Sequence, residues 1–158
     1  MPTDRPLSSL LTPERVCVGL DASTKADVLR RVVALAATSP AVTDAAQLLA
    51  DVEAREATLS TGVGGGLALP HARSAAVRET VAAFATLAAP VDFEALDGAP
   101  VRLVLLLAGP DGDPGAHVRL LSRVSRLMSA AAVRERLLAA TDPADFCTVL
   151  ADAEEALG

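Results

Sequence analysis

Tryptophan and tyrosine are absent from this chain, and Phe84, Phe93 and Phe146 are its only aromatic residues apart from two histidines. A core built from it must be aliphatic, and the stacking platform that single-stranded nucleic acid requires is essentially missing. Positive charge is short as well. The net charge of −6 argues against a nucleic-acid footprint, which needs clustered Lys and Arg. Cysteine is limited to Cys17 and Cys147, far apart and without metal-ligand spacing, so the expectation is buried free thiols in a reducing cytoplasm. No apolar run reaches the roughly 18 residues of a membrane span, and the N-terminus has no signal-peptide core. A soluble, cytoplasmic protein without direct membrane insertion is therefore expected.

What is present is aliphatic. Half of the 158 residues are apolar, mainly Ala, Leu and Val, a length that suits one domain burying roughly 70% of its unfolded surface. Residues 1–6 read as a loose terminus, and 7–158 as a single domain. Leu7 to Leu11 suggest a short helical turn. Val16 to Leu20 are β-prone, and Ser23 or Thr24 then caps a helix, with Thr24 and Asp27 spaced as a capping box. Val28, Leu29, Val32, Val33, Leu35 and Ala36 recur at helical spacing. Asp44 opens a second helix ending near Ala57, with Arg55 in its last turn. Strands are expected at Leu67–Leu69, at Val81–Leu87 with a break at Ala88-Ala89-Pro90, and at Val101–Ala108. That last run is almost unbroken aliphatic sequence, as a strand covered on both faces should be. Helices follow around Leu120–Met128, Ala131–Ala140 and from Asp142-Pro143 onward. The fold class implied is α/β: a mixed, mostly parallel central sheet of about five strands with helices on both faces.

The chemistry concentrates in residues 55–73, which run from Arg55-Glu56 through Ser60-Thr61-Gly62, Gly64-Gly65-Gly66 and Leu67-Ala68-Leu69 to Pro70-His71 and Arg73. Glycines permit positive φ and close approach of backbone to a ligand, and successive free N–H groups form an anion-binding concavity. Ser60, Thr61, Gly62, Gly64, Gly65 and Gly66 are the candidate phosphate-binding residues. Pro70 suits a strand end because it cannot donate to a ladder, which sets His71 at a strand's carboxyl end with Arg55 and Arg73 in reach. This reads as a site for phosphate on histidine. His117 falls in the first turn of a helix after a Pro/Gly loop, where free N–H groups and the helix dipole favour phosphate and disfavour imidazolium. With an ordinary pKa of ~6.5, a neutral imidazole can act as nucleophile.

Taken singly, each feature has a plainer reading. An isolated histidine is usually structural, a glycine cluster a turn, and a helix arginine solvated. Other motifs fail: the glycines fit neither G-x-x-x-x-G-K-[ST] nor G-x-G-x-x-G, and no G-x-S-x-G elbow occurs. Asp92, Glu94, Asp97, Asp111 and Asp113 miss the calcium-loop spacing, and two histidines without H-E-x-x-H make a poor zinc site.

Taken together, these residues resemble the IIA component of the bacterial phosphoenolpyruvate-dependent sugar phosphotransferase system, in the fructose/mannitol class that includes the nitrogen-regulatory IIA protein. The pattern R-E-x-x-x-S-T-G-x-G-x-G-x-A-x-P-H is met by Arg55-Glu56, Ser60-Thr61-Gly62, Gly64, Gly66, Ala68 and Pro70-His71. Val91-Asp92-Phe93 with Asp97-Gly98 and Pro100-Val101, and then His117-Val118-Arg119-Leu120-Leu121, extend the likeness over residues 7–155. Gly65 departs from the asparagine of many members. The resemblance implies that His71 takes a phosphoryl group from a phosphohistidine of a carrier, HPr or its nitrogen-branch counterpart. His71 would pass it to a cysteine of a IIB domain and so associate with a membrane IIC permease only through IIB. It implies that His117 hydrogen-bonds the active imidazole or its phosphate and that Arg55 helps to hold the phosphate. No metal or organic cofactor is required, and a monomer or weak dimer is expected. Sugar transport and a regulatory role without transport both fit.

Overall fold

The computed structural model describes residues 6–157, so the loose terminus expected at 1–6 lies, apart from Pro6, outside the described residues. Two 3-10 turns, Leu7–Leu10 and Pro13–Arg15, lead into β1 (Val16–Leu20). Then come α1 (Lys25–Ala36), α2 (Ala45–Thr58), β2 (Gly62–Gly64), β3 (Leu67–Ala68), β4 (His71–Arg73), β5 (Val81–Val91), β6 (Val101–Gly109), α3 (Pro114–Met128), α4 (Ala131–Leu138) and α5 (Pro143–Leu157). The helices start where side chains can satisfy free N–H groups. Thr24 Oγ1 accepts from Asp27 N, Asp44 Oδ1 from Gln47 N, and Asp113 Oδ1 from Ala116 N. The capping box of α1 is only half made, because the Asp27 carboxylate turns to Arg30. No helix among the described residues is long and apolar enough to cross a membrane.

The sheet is mixed, in the order β1-β5-β6-β3-β2 with β4 also on β6. β1 runs parallel to β5, and β3 and β4 run parallel to β6, while β5–β6 and β2–β3 are antiparallel. β6 is its axis. Leu103, Leu105 and Leu107 point to one face, where Phe84, Val124, Leu127, Met128, Leu137, Phe146 and Leu150 close a core under α3, α4 and α5. Val104, Leu106 and Ala108 point to the other, against Val28, Val32, Leu48 and Val52 of α1 and α2. Period-2 alternation with both faces buried explains why every β6 position except Arg102 is apolar or glycine. The scarce aromatics are used at the centre, where the Phe84 and Phe146 rings lie 5.0 Å apart.

Three expectations change. β5 does not stop at Leu87: its pairing with β6 shifts register, leaves Ala88, Ala89 and Pro90 exposed, and resumes at Val91 opposite Val101. An irregularity of this kind accommodates a proline that has no N–H to give. The strand expected at Leu67–Leu69 does not end at Pro70 either. Leu67 pairs with Leu103 and His71 with Leu107, the same offset, so β3 and β4 form one line interrupted by Leu69-Pro70. Finally, Cys17 and Cys147 are free thiols but only half-buried.

Candidate functional site

Pro70 and Leu69 do the local work at His71. Leu107 N still donates to Pro70 O at 3.1 Å, so the line holds its register across the break. The Leu69 carbonyl, freed from the ladder, lies 2.8 Å from His71 Nδ1. A carbonyl can only accept, so Nδ1 carries the proton and Nε2 keeps its lone pair. The ring is half-buried. Burial is the main cause of a pKa below the ordinary histidine value, with the Arg55 charge adding to it and the Leu69 hydrogen bond opposing it. The imidazole is therefore neutral at pH 7.

α2 supplies Arg55. Ser74, just beyond β4, donates through Oγ to Asp51 Oδ2 at 2.6 Å, which ties α2 to the β4 line. Arg55 is four residues on and on the same helix face. Its Nη1 donates to Leu59 O at 3.0 Å. Glu56, 5% exposed, turns inward to accept from Thr61 N and Thr61 Oγ1 and pairs with Lys25 Nζ at 2.7 Å. Burial raises the Glu56 carboxyl pKa, but Lys25 and Thr61 outweigh burial and hold it below the usual range.

α3 supplies His117 from its first turns. The ring is 8% exposed, and neither ring nitrogen has a hydrogen-bond partner. It rests over Gly109 at the end of β6, where a Cβ would come within 3.0 Å of Nδ1; only glycine leaves room for it. The His71 and His117 rings stand 5.7 Å apart, tilted by 48°. Burial first, then the His71 and Arg73 charges, bring the His117 pKa down to about 4. Two neutral imidazoles thus stand side by side, with the Arg55 charge acting on one and the Arg73 charge on the other.

The glycine cluster does not join them. β2 and β3 form a hairpin whose two-residue turn, Gly65-Gly66, has φ of +66° and +79°, as a primed turn demands at both positions. Of its N–H groups, that of Gly65 is engaged, donating to Asp97 Oδ2. Gly66 O accepts from Arg102 N and Leu103 N. The turn abuts the start of β6, whereas His71 pairs with Leu107, four residues or roughly 13 Å further along. Gly64, Gly65 and Gly66, expected as phosphate-binding residues, thus form and flank a hairpin turn. Ser60, Thr61 and Gly62 lie nearer, since Leu69 N donates to Thr61 O. Their own donors are engaged, Ser60 Oγ with Phe93 O, Gly62 N with Ser60 Oγ and Thr61 with Glu56. They hold the strand that leads to Pro70. Sequence reasoning missed the Leu69 carbonyl and the Gly109 seat. The first leaves no residue-type signal, and the second is an isolated glycine.

A fold with a histidine pair at the end of its central strand defines a class, and comparison with known proteins identifies it. Residues 9–153 match the family described as "Phosphoenolpyruvate-dependent sugar phosphotransferase system, EIIA 2", and the chain belongs to this family. It is 35% identical over 148 residues to a nitrogen regulatory protein of Pseudomonas aeruginosa, covering 94% of this chain and 96% of that one. It is 33% identical over 148 residues to the fructose-specific EIIA component of Haloferax volcanii, covering 93% and 96%. Among solved structures, nitrogen regulatory protein IIA-Ntr of Neisseria meningitidis superposes with a TM-score of 0.85 at 28% identity, covering 91% of this chain and 98% of that one.

Proposed function

We propose that the chain is a phosphocarrier in which His71 Nε2 accepts a phosphoryl group from a phosphohistidine of an HPr-type protein and delivers it to a IIB acceptor. One observation carries this reading. His71 Nδ1–H donates to the Leu69 carbonyl, which leaves a neutral ring with Nε2 bare, beside a second imidazole 5.7 Å away.

In the forward step the Nε2 lone pair attacks phosphorus as the donor's P–N bond breaks in line. The donor ring, protonated at its other nitrogen, leaves with the bonding electron pair as a neutral imidazole. His71 keeps its Nδ1–H, so its ring becomes positive against the phosphoryl dianion and the charges balance. Such transfer needs positioning and charge stabilisation more than covalent help. Arg55 supplies positive charge, and His117, with the proton on the nitrogen facing the cleft, donates to a phosphoryl oxygen. The neutrality of both rings at pH 7 suits nucleophile and neutral donor alike.

The test is transfer of label from phosphoenolpyruvate through enzyme I and HPr to the purified chain. Acid-labile label is expected on wild type and absent from His71→Ala. In His117→Ala it should form about a hundredfold more slowly, as loss of one preorganised donor costs. Label persisting in His71→Ala removes the assignment. A regulatory role is the second reading, favoured by near full-length similarity to a nitrogen regulatory protein. Adding a IIB protein separates the two, since a transport component discharges its label to IIB, while a regulator retains it and binds a protein partner in one phosphorylation state.

A further inference from the structure

Beside His117 lies a cavity of about 240 Å³ between the start of β5, the end of β6 and one face of α3. That volume is below the usual range for drug-sized ligands, which limits the occupant to a few heavy atoms. Arg78 and Thr80 line one wall. Ala116, Leu120 and Arg123 line the other at helical spacing, with Arg119 beside them. Glu79 and Asp113 also border it, and Asp113 already caps α3. The arginines outnumber the carboxylates by one, and guanidinium forks match carboxylate or phosphate oxygens. His71 and Arg55 do not contribute to the wall.

The second observation is His117 itself. It lines this cavity, is more than nine-tenths buried and has no partner at either ring nitrogen. Its Nδ1 stands over Gly109, another residue of the cavity wall. A neutral imidazole has one donor and one acceptor nitrogen, so whatever bonds Nδ1 decides what Nε2 can do. We propose that this cavity binds a small organic anion, a carboxylate or a phosphate monoester, for which the His117 ring turns so that Nδ1–H, closed to solvent in this structure, donates to an anion oxygen and Nε2 is left without a proton. Resting on the phosphocarrier reading, the consequence is regulatory: the occupant withdraws the hydrogen bond that His117 would give to the transferring group.

The test uses the whole, unphosphorylated chain with 15N-labelled histidine, titrated with succinate and, separately, methyl phosphate. The expected result is a saturable change at His117, with a midpoint at or below about 1 mM. Nδ1 moves to the protonated type and Nε2 to the bare type. The tighter of the two probes names the head group. Arg78→Gln and Arg123→Gln, made separately in case one fails to fold, should each weaken binding about tenfold, and Arg55→Gln should not. No saturable change up to about 10 mM overturns the proposal. So does a change lost in Arg55→Gln but kept in Arg78→Gln and Arg123→Gln, because the anion would then sit in the phosphoryl cleft. Binding is read without phosphotransfer, so a chain that never takes label sinks the phosphocarrier reading and leaves this result standing. In a chain that does take label, saturating probe should slow labelling of His71 about a hundredfold, as loss of the His117 donor does. An unchanged rate overturns the regulatory link.

Discussion

His117 and Glu56 both hold a buried ionisable group away from its ordinary behaviour, and they respond to acid in different windows. His117 titrates at about 4 in the folded chain because burial, then His71 and Arg73, oppose its charge, while the unfolded residue titrates near ~6.5. The unfolded state therefore binds more protons between these values, and stability falls as pH drops from about 6.5 to about 4. The expected loss from this group is about 2 kcal/mol between pH 7 and pH 5. Urea unfolding at the two pH values measures it, and His117→Asn should remove most of the difference. An equal loss in the variant would assign the acid sensitivity elsewhere. Glu56, with its pKa lowered by Lys25 and Thr61 against the opposing effect of burial, contributes stability that is complete above the usual carboxylate range. That contribution is lost only as pH falls below it. Glu56→Gln leaves Lys25 without its buried partner, at a cost of about 2–4 kcal/mol at pH 7, read as a lower urea midpoint. A variant as stable as wild type would show that the pair is solvated in solution. At His117 the direction was legible from its place in a helix's first turn, but not the burial that chiefly causes it; Glu56 was not legible, because it stands next to Arg55 in sequence and faces the opposite way in space.

Elements show where periodicity informs and where it fails. β6 and the amphipathic helices were legible because burial on one or two faces imposes a period of 2 or 3.6 on apolar residues. β2 and β4 were not, since three-residue strands such as Gly62-Val63-Gly64 and His71-Ala72-Arg73 are too short to display a period. Their pairing is set by β3 and β6 rather than by their own propensity. The glycine run was read as a ligand loop because glycine reports freedom of φ without reporting its use. Here the use is a hairpin turn. The consequence is testable in Gly65→Asn. Asparagine tolerates positive φ, and its Cβ would approach the Arg134 guanidinium at 3.0 Å, the far end of a long side chain whose Nη1 also donates to Met128 O. Unfolding free energy should change by less than about 1 kcal/mol, and the rate of label transfer to His71 should stay within about twofold of wild type. A tenfold change in rate would bring the glycine turn back into the site.

For the whole molecule, the phosphocarrier reading requires that His71 meet groups on other proteins, so the surface around it matters as much as the histidine pair. The core is largely aliphatic around a Phe84–Phe146 pair, yet several large apolar side chains remain outside it. Leu59 is 59% exposed, Leu96 77% and Val118 60%. Their positions are not scattered. Leu59 receives the Arg55 guanidinium on its carbonyl, Leu96 and Leu59 border one recess with Ser60, and Val118 follows His117 directly. On the phosphocarrier reading, exposed apolar side chains of this kind are what a transient protein contact needs, with a few central side chains carrying most of the energy. Leu96→Asp and Val118→Asp should each raise KM for the phosphorylated carrier about tenfold with little change in kcat, since each removes more than about 1 kcal/mol of contact made equally in ground and transition states. Leu157→Asp, at the end of α5 and 38% exposed, serves as the control and should leave KM unchanged. Thermal unfolding should move little in all three, because none of these side chains is buried. A fall in kcat at constant KM would instead mean that the rim aligns the two imidazoles, and an equal effect of Leu157→Asp would mean that added negative charge alone repels the donor.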